Sequence, residues 1–251
     1  TTKDKDAATV IELSPFVVDA RKDTGYQASN TLAGTRLRTN LGDIATAIQV
    51  VTKDLLQDTG STNARDILVY TTSTEVAGSG GNFAATSTNA TGSTSERENF
   101  RVPQTRVRGL AGADLTRDYF STSIPFDAYN TERVEINRGA NATLFGLGSP
   151  AGIINNSLAL AQQRNFGSTS VQIGSYDSHR ETFDLNAAPG AGLAVRAAGV
   201  YDEEKFRQKP AFATERRGYI ATLWEPAFLQ KKGILSGAAL RDPVRQAVLG
   251  L

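Results

Sequence analysis

The chain has 251 residues, 27 basic and 26 acidic side chains, a formal net charge of +1 and no cysteine. That length holds one large or two ordinary domains with a real core. The balanced charge gives no basis for a polyanionic partner such as nucleic acid. The missing thiols exclude thiolate metal sites, thiol catalysis and disulfides, and are compatible with an oxidising compartment such as the periplasm. No apolar run approaches the roughly 20 residues of a membrane helix, a property shared by membrane β-barrels, whose strands are short and alternating. No signal peptide precedes Thr1, so the expectation is a cytosolic protein or a processed or partial chain.

Thr1–Ala8 is polar and aperiodic, the texture of a mobile terminus. Thr9–Val18, TVIELSPFVV, is an isolated β-prone segment with one charge, Glu12, and a proline, Pro15, that restricts pairing on one edge. Two readings fit it: an ordinary edge strand, and an exposed strand that a partner captures by β-augmentation. Ala20–Gly42 is a loop-rich lead-in anchored by Tyr26, Leu32 and Leu37. A short apolar strand is predicted over Ile48–Thr52, then helices over Lys53–Asp58 and Asn63–Tyr70. The second has Asn63 as its N-cap, Asp66 three residues on, and Ile67 and Leu68 facing a core.

Thr71–Asn99 is rich in Thr, Ser, Asn and Gly, with Phe83 its one large apolar side chain. Such a segment buries too little surface to offset ordering its backbone, so it reads as a long loop or as disorder. It is either a bland linker or, since loops of more than about 15 residues are usually functional, a binding loop. Arg101–Leu110 runs strand to turn, with Val107 between Arg106 and Arg108 and a close at Gly109. Ala111–Phe120 reads as another loop, and Ile124–Asn130 leads into Glu132–Asn155, ERVEINRGANATLFGLGSPAGIIN. There Val134 and Ile136 alternate with Arg133, Glu135 and Asn137, the period of a half-buried strand that Arg138-Gly139 ends. Asn141–Phe145 is helix-compatible, and Gly146, Gly148, Pro150 and Gly152 then break the backbone before Ile153-Ile154.

Beyond Asn155 four alternating segments follow. Val171 and Ile173 alternate with Ser170 and Gln172; Phe183, Leu185 and Ala187 with Thr182, Asp184 and Asn186; Leu193, Val195, Ala197 and Tyr201 stand opposite Arg196 and Asp202; Tyr219, Ala221 and Leu223 share one parity. Pro189-Gly190 is read as the tight turn between the second and third, and Glu203–Thr214 as a longer charged connection before the fourth. Strands of about 9–11 residues with short turns at one end and longer loops at the other describe outer-membrane hairpins. A soluble antiparallel sandwich alternates too. After Pro226, residues 227–251 read as a broken amphipathic helix interrupted by Gly233, Gly237 and Pro243.

The charged strand, Arg-Gly turn and Gly-broken loop of Glu132–Asn155, together with the earlier Arg108-Gly109 turn, resemble the end of the plug domain of TonB-dependent outer-membrane receptors. The likeness spans roughly Thr9–Trp224 and departs from the family pattern at Ala140, where a proline commonly follows Arg-Gly. It implies an α+β plug with a small mixed sheet and short helices, followed by antiparallel β-hairpins of an incomplete transmembrane β-barrel. Four strands are far short of the about 22 of a plugged barrel, so the resemblance implies a fragment. Its parts would be a leader at 1–42, a plug at 43–160, first barrel strands at 161–226 and an unassigned tail at 227–251. It implies a TonB box at Val10, Ile11, Glu12, Leu13, Ser14, Pro15, Phe16, Val17 and Val18, taken by TonB with its inner-membrane energising proteins. Plug–barrel ionic contacts fall to Arg108, Arg138, Glu132 and Glu135. Ligand-facing loop positions would be Asn82, Phe83, Asp114, Arg117, Tyr119 and Phe120. The implied ligand is a siderophore, cobalamin or glycan-type small molecule or oligosaccharide, and outer-membrane lipid would surround the strands. The rival from another class is a soluble secreted or periplasmic β-rich binding module.

Enzyme chemistry finds no foothold. Gly146-Leu147-Gly148-Ser149-Pro150-Ala151 matches a dinucleotide fingerprint literally, but that motif needs a strand before it and a helix opening after it. The one histidine, His179, reads as a solvated turn residue without a partner for metal or triad chemistry. The carboxylates are scattered, and no cofactor is expected.

Overall fold

The computed structural model describes residues 23–33, 38–76, 105–110, 112–139, 149, 151–224 and 248–250. Val10–Val18, Asn82, Phe83, the helix-compatible Asn141–Phe145 and most of the Gly-rich loop after it lie outside the described residues.

In chain order, β1 (Asn30–Thr31) pairs with β2 (Thr39–Asn40), and β3 (Ile48–Thr52) runs straight into α1 (Lys53–Asp58). The Thr52 hydroxyl that ends the strand also caps the helix, accepting from Leu55 N at 3.3 Å. α2 (Ala64–Val69) opens on Asn63, whose side chain accepts from Asp66 N at 3.1 Å. β4 (Thr74–Val76) and β5 (Thr105–Val107) form a two-stranded ladder. Where a loop was expected at 111–120 there is instead a hairpin, β6 (Asp114–Arg117) and β7 (Phe120–Ser121), reversing at Asp118-Tyr119 with both residues at positive φ. β8 (Thr131–Arg138) and β9 (Gly152–Leu158) complete a five-stranded mixed sheet in the order β3-β8-β9-β6-β7, with β6 and β9 parallel.

β8 is buried on both faces, where alternation alone suggested one. Val134 and Ile136 meet α1 and α2 in a core with Val51, Leu56, Ile67, Leu68 and Ile154, each such side chain contributing about 1.5–3 kcal/mol on burial. The opposite face carries Arg133, Glu135 and Asn137, all at most 1% exposed. It is covered by the segment 23–33, which lays Asn30, Thr31 and Ala33 over it as buried residues. The lead-in is therefore part of this domain's packing. β9 starts at Gly152 because a side chain cannot: its φ is +111°, and a Cβ would stand 2.0 Å from the Asn137 carbonyl oxygen.

A second sheet is an antiparallel meander of β10 (Phe166–Ile173), β11 (His179–Gly190), β12 (Leu193–Lys205), β13 (Phe212–Trp224) and β14 (Val248–Gly250). Four expectations change here. The tight turn is Ala191-Gly192, both at positive φ, as a type I′ turn requires, while Pro189-Gly190 stays in β11 at an irregularity of the ladder. Ladder pairing extends from Glu203 to Lys205 on β12 and from Phe212 on β13, leaving a connection of only 206–211. Within the expected helical tail, Val248–Gly250 is a strand paired with Tyr219–Ala221. His179 begins β11 rather than sitting in a turn, with its ring tilted against Tyr201 at 5.4 Å.

Candidate functional site

The two sheets meet along a seam built from one parity of β11, β12 and β13. Because side chains alternate, Arg180, Asp184, Asn186, Arg196, Tyr219 and Ala221 all point to the same side, and all are buried. Arg196 grips Asp184 across the ladder with a two-bond fork, Nε at 2.8 Å and Nη2 at 2.6 Å. Its Nη1 donates to the Leu160 carbonyl of the connecting segment at 2.9 Å and reaches back to Glu132 of the mixed-sheet domain at 3.3 Å. Lys53, the first residue of α1, donates to the same Asp184 at 3.3 Å. The Phe166 ring lies under Arg164 and Arg196, 4.8 and 5.1 Å from ring centre to guanidinium carbon.

A second node centres on Asp127, the residue that caps the short 3₁₀ turn Ala128–Asn130 by accepting from Tyr129 N at 3.1 Å. Its carboxylate takes Arg180 at 2.5 Å and stands 3.7 Å from Arg217. Arg180 also donates to Asp202 at 2.7 Å, and Arg217 to Glu215. Between the nodes the chain 159–164 runs along the sheet: Tyr219 donates to the Ala159 carbonyl at 2.8 Å, and Asn186 to the Gln162 carbonyl at 2.7 Å. Beside it, Asp23, Lys53, Asp54, Glu132 and Arg164 line a seam cavity of about 450 Å³.

Of the sequence-predicted ionic positions, Glu132 faces Arg196 across the seam. Glu135 is bonded inside its own domain, by Arg133 and by the Tyr119 hydroxyl. Burial first, and then the Glu135 charge, push the Tyr119 phenol well above its usual range. Tyr119 thus stays protonated and donates. Arg138 donates to the Gln49 side chain and the Thr72 carbonyl, both at 2.6 Å. The Arg108 guanidinium lies over Gly139. Neither arginine has a carboxylate within ion-pair distance among the described residues, and burial followed by the Arg108 charge lowers the pKa of Arg138. Of the expected loop positions, Asp114 accepts from Ser149 N at 3.0 Å, Arg117 is half-buried in β6, and Phe120 is exposed.

Lys53, Asp127, Arg180, Asp184 and Arg196 went unnoticed as a set. Arg180, Asp184 and Arg196 are charges of one strand parity, but a polar parity ordinarily marks the solvent side, and Lys53 and Asp127 lie outside the strands. Here the rule is inverted. Val171, Ile173, Phe183, Leu185 and Ile220 are exposed on the outer face, while the charged parity is buried against the mixed-sheet domain. On that outer face Phe183 covers Gly199, and Leu185 covers Gly167.

Residues 40–153 match the family model described as TonB-dependent Receptor Plug Domain. The chain carries the plug of a TonB-dependent receptor. It is 32% identical over 162 residues to the metal-pseudopaline receptor CntO of Pseudomonas aeruginosa, covering 64% of this chain and 21% of that one. It is 31% identical over 183 residues to the catecholate siderophore receptor Fiu of Escherichia coli K12, covering 72% and 22%. The fold matches the pyoverdine outer membrane receptor FpvA of Pseudomonas aeruginosa PAO1 with a TM-score of 0.71 over 97% of this chain and 32% of that one, at 18% identity. The chain thus spans about a fifth of the length of these curated relatives. The mixed sheet with its short helices is the plug, and an antiparallel meander follows it in the chain.

Proposed function

We propose that this chain is the plug and first wall strands of an outer-membrane receptor that takes up a metal–siderophore complex by TonB-dependent transport. The observation that carries the reading is the inverted burial of β11–β13, with apolar side chains exposed outside and charged ones buried inside against the plug. A soluble binding module would bury Phe183, Leu185 and Ile220; a lipid-facing wall exposes them. From Tyr201, opposite Arg216, to Trp224 is eight residues of β13, or about 26 Å along the strand. At a barrel tilt of about 40° this spans about 20 Å, the scale of a hydrocarbon band rimmed by aromatics.

In this reading residues 1–42 lead in, with 23–33 lying on the plug, 43–160 form the plug, and 161–226 begin the wall. Val10–Val18 is the TonB box, pulled by TonB at the expense of the inner-membrane proton gradient. Arg108 and Arg138, two neighbouring cations with no carboxylate in ion-pair distance among the described residues, face acidic groups of further wall strands. Asn82, Phe83 and Phe120 are offered to the ligand. The relatives' names favour a siderophore-type metal complex; a vitamin B12 transporter from Vibrio vulnificus is matched at 25% identity, and glycans have weaker support. Those relatives bear the names of receptors and transporters, in keeping with a non-enzymatic role.

The test is uptake of iron-loaded siderophores by cells expressing the receptor that contains this chain. Deleting Thr9–Val18 is expected to abolish uptake while sparing ligand binding at the cell surface. Unchanged uptake sinks the TonB-box assignment, and a receptor found only in soluble fractions sinks the membrane assignment.

A further inference from the structure

Three wall arginines reach the plug, and each holds two carboxylates. Arg196 has Asp184 of the wall and Glu132 of the plug; Arg180 has Asp202 of the wall and Asp127 of the plug; Arg217 has Glu215 of the wall and the same Asp127. For Arg196 the wall bonds are the tighter ones, a fork at 2.6 and 2.8 Å against 3.3 Å to Glu132. Arg217 donates to Glu215, while Asp127 stands 3.7 Å away. Lys53 of the plug bonds Asp184, which keeps Arg196 when Lys53 leaves.

We infer that the seam is a release-ready latch: the wall neutralises its own charges, so the plug lets go without leaving an unpaired charge in the wall. An arginine with a single carboxylate across an interface would become a desolvated, uncompensated cation whenever that interface opened, the costly way to break a buried pair. Here every wall arginine of the seam falls back on a wall acid. Of the plug acids, Asp127 has its own retreat, since it keeps its capping bond to Tyr129 N. The segment 159–164 stays behind as a tether, held by Tyr219, Arg196 and Asn186 through its backbone carbonyls. The departing body is thus defined by Lys53, Asp127 and Glu132. After release, the strip of wall it leaves is lined by neutral pairs rather than by a field of cations.

The latch rests on the reading that the plug moves during transport, yet its test does not depend on uptake. Hydrogen exchange is measured on the receptor containing this chain in lipid nanodiscs, following amides of β8 and α1 for the plug and of β11–β13 for the wall. Asp127→Asn and Glu132→Gln are expected to speed plug exchange about tenfold and leave wall exchange within about twofold. Asp184→Asn and Asp202→Asn are expected to speed wall exchange as well, and Asp184→Glu, which keeps the charge, to restore it. The latch is overturned if the plug variants accelerate the wall as much as the plug, if they leave the plug unchanged, or if removing the wall acids leaves wall exchange unaltered. Loss of uptake with this exchange pattern intact would count against the transport reading alone.

Discussion

The Arg108 guanidinium rests on Gly139, its Nη1 3.0 Å from where a Cβ on that glycine would stand. The two Arg-Gly turns of the plug, 30 residues apart in sequence, are therefore one structural unit. Gly139 has a φ of +91°, so Gly139→Ala adds backbone strain to the displacement of Arg108. The expected cost is about 1–2 kcal/mol of plug stability, read from denaturant unfolding. The accompanying Arg108→Ala is expected to lessen the penalty of Gly139→Ala by removing the clash, which a double-mutant cycle measures.

Gly152→Ala should be far worse. Its Cβ would meet backbone, not the end of a flexible side chain, 2.0 Å from the Asn137 carbonyl oxygen at the end of the β8–β9 ladder. A loss of more than about 4 kcal/mol is expected, appearing as a plug that no longer protects its amides while the wall strands still assemble.

Arg133 and Glu135 form a wholly buried pair extended to Asp23, the Asn30 carbonyl and Tyr119. Arg133→Met leaves Glu135 as an uncompensated buried charge and is expected to cost about 3–5 kcal/mol. The double variant Arg133→Met with Glu135→Leu should recover much of that loss. Denaturant midpoints of the two variants decide the matter; equal losses would mean that shape outweighs charge at this site.

The Tyr119 phenol gives the plug an alkaline signature. Below about pH 10 both folded and unfolded states hold the proton. Above it the unfolded tyrosine ionises while the folded one, with its raised pKa, keeps its proton. Stability therefore falls as pH rises from about 10 towards the folded pKa. Tyr119→Phe should flatten that slope by up to one proton, measured as the difference in unfolding free energy between the variant and the parent across pH 9–11. Tyr129, raised by its own burial and then by Asp127, titrates with the same sign and remains in both proteins.

The outer face separates lipid from water directly. Leu185→Arg and Ile220→Arg are expected to cost about 2–4 kcal/mol each if these side chains face hydrocarbon near its middle. In water such exposed positions would tolerate arginine within about 0.5 kcal/mol. Folding into vesicles, followed by protease resistance, reads the difference.

Local features were legible in the sequence where short-range chemistry decides them. The Asn63 cap, Ile67 and Leu68 facing a core, the Val134–Ile136 alternation and the four alternating segments after Asn155 all follow from periodicity and capping. The Arg-Gly turns carried the family. The hairpin at Asp118-Tyr119 was missed because two non-glycine residues occupy its left-handed positions, held there by Asn155 and Asn156, 36 to 38 residues away. The turn at Ala191-Gly192 was misplaced by two residues because Pro189-Gly190 is the stronger local turn signal.

The sequence by itself determined which residues alternate, where the backbone must bend and to which family the turns belong, because those depend on neighbours a few positions away. It could not decide which parity faces inward. Asp184 and Arg196 share a polar parity that the sequence leaves free to face either way, and tertiary structure places Lys53 and Glu132 against them. The direction of a strand's two faces is set by what packs on each, and here a charged plug lies inside and an apolar surround is expected outside.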